Sequence, residues 1–301
     1  MLTFALRSCA GQNSAVPPSR CAYNADTGAW ESPLLHNVDL DDTGRLTRRR
    51  GFSRLQTGDW HSMWGNGDLG YVVNGSTLYE VNEAGVLLAL KTDMLPSFPV
   101  SYAAVDDVVY WCNSGQKGKI IEHQAVAWGG GAYPYADAVR EIGDVPVGHL
   151  VCYHAGRLFV AVDNVVYFTE GAGFFDFADL ESNHLPFYDS KILMLLPVDD
   201  GLYVGTDSGV QFVAGTAPDQ FQYRQVSARR PIPGVNLTMS GHLIDPDIVG
   251  AVALWADRLG VTMGMLSGVA RSITKDRFIM PAVSSGCGLL YDNKFVALLA
   301  P

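Results

Sequence analysis

Residues 156–168 read Gly156-Arg157-Leu158-Phe159-Val160-Ala161-Val162-Asp163-Asn164-Val165-Val166-Tyr167-Phe168. Two apolar runs, rich in valine and aromatic residues, flank the dipeptide Asp163-Asn164. Valine and aromatic side chains are enriched in β-strands, and Asp and Asn tolerate the backbone conformation of a tight turn. The stretch therefore predicts a β-hairpin.

The same pattern recurs along the chain, with turn residues, an apolar strand, a second turn and a second apolar strand in each copy. The first large apolar residues of the six copies are Leu69, Val108, Leu158, Leu202, Leu259 and Phe295. They recur roughly every 45 residues, and known propeller blades are roughly 40 to 50 residues long. Another apolar run usually precedes each copy, so each repeating unit is expected to contain three or four strands.

These repeats predict an all-β protein, a β-propeller of about six blades. One blade cannot bury both of its faces alone, and a closed ring removes the exposed terminal faces. We expect an N-terminal extension over residues 1–31 and the propeller over residues 32–301. Because the last copy is short, strands from around residues 45–55 are expected to close the ring. A β-sandwich or two small β domains is the alternative fold.

The composition restricts the classes of partner. The chain has 301 residues, of which only 17% are charged, and its formal net charge is −10. Soluble domains average about 25% charged residues, so part of the surface is expected to be covered by partners. The negative charge disfavours broad nonspecific binding to nucleic acid or to an anionic membrane. No apolar run is long enough to span a membrane, and Arg7 interrupts the apolar start too early for a signal peptide, so we expect synthesis in the cytoplasm.

The sequence contains no recognisable catalytic or cofactor motif. Its five cysteines are scattered without a C-x-x-C pair, and its seven histidines form no metal-binding spacing. Phosphate-binding glycine loops and the G-x-S-x-G nucleophile motif are also missing. We therefore expect no catalytic residues, no metal site, no cofactor and no enzymatic activity.

The segment Arg45-Leu46-Thr47-Arg48-Arg49-Arg50-Gly51-Phe52-Ser53-Arg54 concentrates basic charge in an otherwise acidic chain. Arginine suits contacts with acidic surfaces because its planar guanidinium group makes paired hydrogen bonds. The candidate partner-contact residues are Arg45, Arg48, Arg49, Arg50 and Arg54. The alternative is an edge strand whose solvated charges prevent pairing with other sheets.

The segment Gly171-Ala172-Gly173-Phe174-Phe175-Asp176-Phe177 is an aromatic loop between predicted strands. Phe174, Phe175 and Phe177 are candidates for binding a sugar or a partner protein. The alternative is that the three rings pack the loop onto the edge of a blade.

Two phrases resemble the β-propeller proteins of tailed-bacteriophage tails. Asn37-Val38-Asp39-Leu40 followed by Gly44-Arg45-Leu46-Thr47-Arg48-Arg49-Arg50-Gly51-Phe52 is similar to the segment that precedes their first blade. Thr206-Asp207-Ser208-Gly209-Val210-Gln211-Phe212-Val213-Ala214-Gly215, followed by Pro218, Phe221 and Arg229-Arg230-Pro231, is similar to a later blade.

The resemblance implies a structural protein of the virion, in the tail nozzle, hub, tail tip or baseplate. It implies other virion proteins as partners, a homo-oligomeric ring, and proximity to the DNA path without sequence-specific binding. Two alternative functions remain open from the sequence. One is a carbohydrate- or receptor-binding propeller that uses aromatic loops, and the other is a propeller hydrolase.

Overall fold

The computed structural model describes residues 9–21, 23–24, 29–36, 38–40, 44–49, 51, 53–54, 56–66, 68–135, 140–171, 173–187, 190–274, 278–280, 282–291 and 294–300. Within these ranges nearly all regular structure is β-strand. The helical elements there are three-residue 3₁₀ turns at Pro18–Arg20, Pro218–Gln220, Gly241–Leu243 and Leu266–Gly268. No helix among the described residues is long and apolar enough to cross a membrane.

The N-terminal part of the chain forms two small sheets. The first has the strand order β1-β3-β2 and comprises β1 (Cys9–Gln12), β2 (Tyr23–Asn24) and β3 (Ala29–Ser32). The second is an antiparallel hairpin of β4 (Val38–Leu40) and β5 (Leu46–Arg48). The division between residues 1–31 and 32–301 stays a prediction, and its boundary falls within β3.

Five four-stranded antiparallel sheets follow, and they are the blades of a β-propeller. The first two blades comprise β6 (Trp60–Asn66), β7 (Leu69–Asn74), β8 (Thr77–Asn82) and β9 (Leu87–Lys91), then β10 (Ser101–Val105), β11 (Val108–Cys112), β12 (Lys117–Ile121) and β13 (Gln124–Val126).

The third blade contains an additional strand pair. The strands of this region are β14 (Ile142–Asp144), β15 (Leu150–His154), β16 (Arg157–Val162), β17 (Val165–Phe168), β18 (Phe177–Asp179) and β19 (His184–Pro186). The blade has the order β15-β16-β17-β19, whereas β14 and β18 pair with each other as a separate two-stranded sheet. The hairpin predicted from residues 156–168 is confirmed as β16 and β17, and Asp163 occupies its turn with a positive φ of 50°.

The last two blades and a terminal hairpin complete the chain. Their strands are β20 (Met194–Val198), β21 (Gly201–Thr206), β22 (Gly209–Ala214), β23 (Gln222–Ser227), β24 (Pro231–Ser240), β25 (Ala251–Asp257), β26 (Gly260–Gly264), β27 (Ala270–Ser272), β28 (Ser285–Tyr291) and β29 (Lys294–Ala300). Strands β28 and β29 form a two-stranded sheet, and β28 lies against β24 of the fifth blade.

The hydrophobic core lies between the blades. Separate clusters of buried side chains fill the spaces between the first and second, second and third, third and fourth, and fourth and fifth blades. The first strands of successive blades from β10 to β24 contact one another. Hydrogen bonds cross two of these contacts: Val151 N–H donates to Ser101 Oγ (3.0 Å), and Thr238 Oγ1 donates to the Pro197 carbonyl (3.1 Å). Successive blades therefore bury their facing surfaces against each other, as the repeat pattern predicts.

The all-β propeller prediction is confirmed, with a correction to the blade count. The described residues form five complete blades, and the sixth copy contributes only the hairpin β28–β29. Its inward side chains, among them Phe295 and Leu299, pack on Ile232 and Val235 of the fifth blade. Closure of the ring by strands around residues 45–55 stays a prediction. Within that segment, β5 pairs with β4.

The predicted alignment of the copies is correct for five of its six residues. Leu69, Val108, Leu158 and Leu202 all lie at the start of the second strand of their blades. Leu259, however, lies in the turn before β26, the third strand of the fifth blade. The equivalent strand is β25, where Val252 is fully buried, as are Leu158 and Leu202. Phe295 lies on the second strand of the incomplete copy.

Candidate functional site

The arginine-rich segment lies on and beyond the β4–β5 hairpin, outside the five blades. The side chains of Arg45, Arg48 and Arg49 are exposed, and so is that of Arg54. Arg50 lies outside the described residues. The structure therefore presents four of the five predicted contact arginines to solvent.

Asp39 on β4 is the acidic partner within this segment. Arg49 Nε donates to Asp39 Oδ1 at 3.0 Å, and Lys294 Nζ lies 3.8 Å from Asp39 Oδ2. The pairs join the hairpin to the start of β29, although Arg49 is half exposed and such exposed ion pairs contribute little stability. The guanidinium of Arg48 forms no ion pair with any described residue, so it is available to a partner.

The aromatic loop is joined in space by a second segment. Tyr133 lies 5.6 Å from Phe174 and 5.4 Å from Phe177 between ring centroids, both with edge-to-face geometry. Tyr135 lies 5.9 Å from Tyr133 and 5.5 Å from Phe174. We call these four residues, Tyr133, Tyr135, Phe174 and Phe177, the aromatic cluster. Its most exposed member is Tyr135, whose exposed fraction is 63%.

Phe175 has a different position from its two neighbours. Its ring packs at 6.0 Å from both Tyr110 and Tyr153, and its carbonyl accepts a hydrogen bond from Trp128 Nε1 at 2.8 Å. It contacts the core between the second and third blades. Phe175 therefore anchors the loop to the propeller, as the packing alternative in the sequence analysis expected for all three rings.

Charged groups fix the two segments below the aromatic cluster. Lys119 Nζ of the second blade donates to both carboxylate oxygens of Asp176, at 3.0 and 2.9 Å. The carboxylate of Asp144 on β14 accepts the backbone N–H of Gly130 at 2.9–3.0 Å. These contacts connect the loop after β17 to the second blade and the glycine-rich loop after β13 to β14.

Burial changes the ionisation of groups beneath the cluster. Burial, and secondarily the negative charge of Asp176, raises the pKa of Tyr110 to about 12. Burial lowers the pKa of Lys117, while Asp144 and Asp176 act in the opposite direction. The Lys117 ammonium lies 5.6 Å from the centroid of the Trp128 ring and donates to the Val145 carbonyl. The groups beneath the cluster are therefore partly desolvated and held by defined contacts.

Three hydrogen-bonded polar side chains border the cluster. Arg140 Nη1 donates to both carboxylate oxygens of Glu170, at 3.2 and 3.3 Å, and Asn183 Nδ2 donates to Glu170 Oε1 at 2.7 Å. Glu170 N–H donates to the Phe177 carbonyl at 2.8 Å, which connects this group directly to the cluster. Aromatic rings next to an oriented set of hydrogen-bonding groups are typical of small-ligand sites.

Sequence reasoning identified Phe174 and Phe177 but missed Tyr133, Tyr135 and the Arg140–Glu170 pair. The two tyrosines follow the run Gly129-Gly130-Gly131, whose composition alone is typical of a flexible loop. A Tyr-Pro-Tyr sequence after such a run was the available signal. Its pairing with a loop some 40 residues later depends on the β14–β18 sheet, which propensity alone does not predict.

A second candidate site is a cleft of about 330 Å³ lined by residues of blades three, four and five. Its lining residues are Tyr153, His154, Ala155, Pro197, Val198, Asp199, Thr238 and Ala251. The polar groups are already engaged: the Asp199 carboxylate accepts the Ala251 N–H at 3.2 Å, and His154 Nε2 lies 3.1 Å from the Gly215 carbonyl. This arrangement fixes the strand ends and leaves few oriented groups for a ligand.

No group of three or more His, Cys, Asp or Glu side chains among the described residues is arranged to hold a metal ion. Cys152 and His154 share a face of β15, and both are buried. Burial raises the pKa of the Cys152 thiol, which keeps it protonated and unreactive.

Comparisons with known proteins identify no family for the chain. No protein-family model matches the chain, and no curated protein matches it. Among solved structures, the chain is similar to the WD40 domain of Neurospora crassa Pan2, with 9% sequence identity and a TM-score of 0.45 over 68% of this chain. The match covers 60% of the Pan2 domain, less than two thirds of its length.

Two further solved structures cover more of the chain. Virginiamycin B lyase from Staphylococcus aureus has 10% identity and a TM-score of 0.48, covering 81% of this chain and 85% of that protein. BBS1N, in complex with ARL6DN, has 13% identity and a TM-score of 0.48, covering 87% and 84%.

Proposed function

We propose that the chain is a structural component of a tailed-phage virion, located in the tail as part of the nozzle, hub, tail tip or baseplate. It is made in the host cytoplasm and assembles there with other virion proteins, in several copies that form a ring. The proposal assigns no catalytic step and no cofactor to the chain.

The exposed arginine hairpin is the observation that carries this proposal. Arg45, Arg48 and Arg49 lie on a two-stranded sheet outside the blades, in a chain whose formal net charge is −10. A small sheet with exposed arginines buries little surface of its own and gains most from a partner with acidic groups. The same segment carries the resemblance to phage tail propellers.

The low charge content supports an assembled protein. Only 17% of residues are charged, and large apolar side chains such as Met63, Val249 and Leu298 are more than 60% exposed. Singly exposed apolar side chains are ordinary on soluble proteins, so the support comes from the charged fraction, which is below the average of about 25%. The overall negative charge also suits a wall beside DNA, because it gives the duplex no basic surface to bind.

The experiment substitutes two arginines in the phage gene and measures the chain in purified particles. Arg48→Ser combined with Arg54→Ser removes two exposed positive charges and leaves the Arg49–Asp39 pair in place. We expect the folded variant to be incorporated less than the parent, with a larger defect when assembly takes place at higher salt, because exposed charge pairs weaken with ionic strength.

Arg271→Ser is the matched control, since Arg271 is also an exposed strand arginine but lies on β27 of the fifth blade. It should be incorporated as the parent is. Equal incorporation of the double variant and the parent at physiological salt would mean that the hairpin is a protected edge strand. Absence of the chain from particles would refute the virion proposal as a whole.

A further inference from the structure

The aromatic cluster lies apart from the arginine hairpin on which the assembly proposal is based. It stands on the β14–β18 sheet and the loops beside it, whereas the arginine hairpin lies near β29. From its composition and surroundings, we propose that it binds a neutral oligosaccharide of hexose or N-acetylhexosamine units. This inference is independent of the virion assignment.

The rings supply the apolar part of such a site. One face of a pyranose sugar carries several C–H bonds, and these pack favourably on aromatic rings, whose faces are electron-rich. The edge-to-face contacts of Tyr133 with Phe174 and Phe177 fix the rings in a connected surface. Tyr135 extends this surface into solvent, where a sugar ring would cover it.

Oriented polar groups lie at the border of the same surface. The tyrosine hydroxyls donate and accept hydrogen bonds, and the Glu170 carboxylate is fixed between Arg140 and Asn183. Sugar hydroxyls require this combination of acceptors and donors. The tyrosine hydroxyls have no such partner from an aliphatic protein surface, and burying them unpaired costs binding free energy.

The arrangement of charges disfavours an anionic ligand. Each basic side chain described around the cluster is already engaged: Lys117 with the Val145 carbonyl, Lys119 with Asp176, and Arg140 with Glu170. A phosphate, a carboxylate or a nucleic acid strand would therefore meet carboxylates without an uncommitted cation. Base stacking on aromatic rings is normally combined with a basic groove, which is missing from the described residues here. A neutral ligand meets no such penalty.

The scaffold holds the site in a defined geometry before a ligand binds. Trp128 Nε1 donates a hydrogen bond to the Phe175 carbonyl, and the Gly130 N–H donates to the Asp144 carboxylate. Lys119 forms a salt bridge with Asp176. The first contact joins the two loops to each other, the second joins the glycine-rich loop to β14, and the third joins the loop after β17 to the second blade. Preorganised loops lose less conformational entropy on binding, so a small number of ring contacts is sufficient for measurable affinity.

The test titrates the purified full chain with maltohexaose, cellohexaose and chitohexaose, by calorimetry and by saturation-transfer NMR. A printed array of neutral glycans extends the panel, and dextran sulfate is the anionic comparison. We expect binding to at least one neutral glycan and none to dextran sulfate. Tyr135→Ala should weaken the binding about tenfold, because one lost ring contact corresponds to roughly that factor.

Tyr291→Ala is the matched control, since Tyr291 is exposed by 61% but lies on the terminal hairpin. It should leave the affinity unchanged, and Tyr135→Phe should have a smaller effect than Tyr135→Ala. Both alanine variants are expected to keep the parent's melting temperature because both side chains are exposed.

The proposal is overturned by an absence of binding across the neutral panel, or by binding that Tyr135→Ala does not weaken. Sedimentation of the parent and Tyr135→Ala identifies the main rival occupant. If the parent self-associates, the variant does not, and neither binds a glycan, the cluster is a contact between copies of the chain.

Discussion

Substitution of Leu202 by alanine tests the register of the propeller. Leu202 is the second residue of β21, is fully buried, and belongs to the core cluster between the third and fourth blades. Removing a fully buried leucine side chain costs about 2–5 kcal/mol, since transfer free energy is lost and a cavity remains between packed sheets. A loss of about 3 kcal/mol would lower the melting temperature by roughly 6–12 °C.

Leu259→Ala is the informative comparison. The sequence alignment of the copies treats Leu202 and Leu259 as equivalent, whereas the structure places Leu259 in the turn before β26, where it is partly exposed. We expect Leu259→Ala to cost about 1 kcal/mol or less. Leu158→Ala, at the equivalent buried position of the third blade, should match Leu202→Ala.

Urea unfolding followed by circular dichroism and tryptophan fluorescence would give the free energies of unfolding of all three variants. The register described here is wrong if Leu259→Ala destabilises the protein as strongly as Leu202→Ala. It is also wrong if Leu202→Ala has the small effect expected of a partly exposed turn residue.

Three further predictions follow from individual groups. Burial lowers the pKa of His149. The stability contributed by its neutral form is therefore present above the ordinary histidine pKa and is lost as the pH falls from that value through the lowered pKa. His149→Gln should reduce the fall of the melting temperature at acid pH. The pKa of Tyr110 is raised to about 12, so its contribution is present below the ordinary tyrosine pKa and is lost as the pH rises from about 10 towards 12; absorbance titration at alkaline pH should detect a late-ionising tyrosine that Tyr110→Phe removes. Gly209→Ala should destabilise the protein more than Gly75→Ala, because both glycines have positive φ but only at Gly209 would the new Cβ meet backbone atoms, the nearest at 2.1 Å; thermal unfolding of the two variants compares them.

The repeating part of the fold was predictable because each blade carries its own local signals. The Asp163-Asn164 turn and the apolar runs on either side of it identify β16 and β17 without reference to the rest of the chain. The same holds for the strands that begin near Leu69, Val108 and Leu202. Local turn chemistry and apolar strands are sufficient where the blade is regular.

The fifth blade shows where local signals fail. Strands β25 and β26 are both almost completely buried, so each has the apolar composition of a middle strand. The Asp257-Arg258-Leu259-Gly260 turn resembles the turn that precedes β21, and it was therefore aligned with the wrong strand. A ten-residue segment, which contains a 3₁₀ turn at Gly241–Leu243, lies between β24 and β25. The first and second strands of this blade are therefore not joined by a short turn that the sequence would reveal.

The candidate sites were less predictable because they lie on segments outside the repeat. The arginine hairpin is a two-stranded sheet before the first blade, and the aromatic cluster stands on the β14–β18 pair added to the third blade. A propeller fold is compatible with many functions, so the blades themselves give no information about the ligand or the partner. The residues that distinguish this chain from other propellers are therefore expected in these additions. Arg48→Ser with Arg54→Ser should alter assembly without altering glycan binding, and Tyr135→Ala should do the reverse. The two proposals can therefore be tested independently of each other.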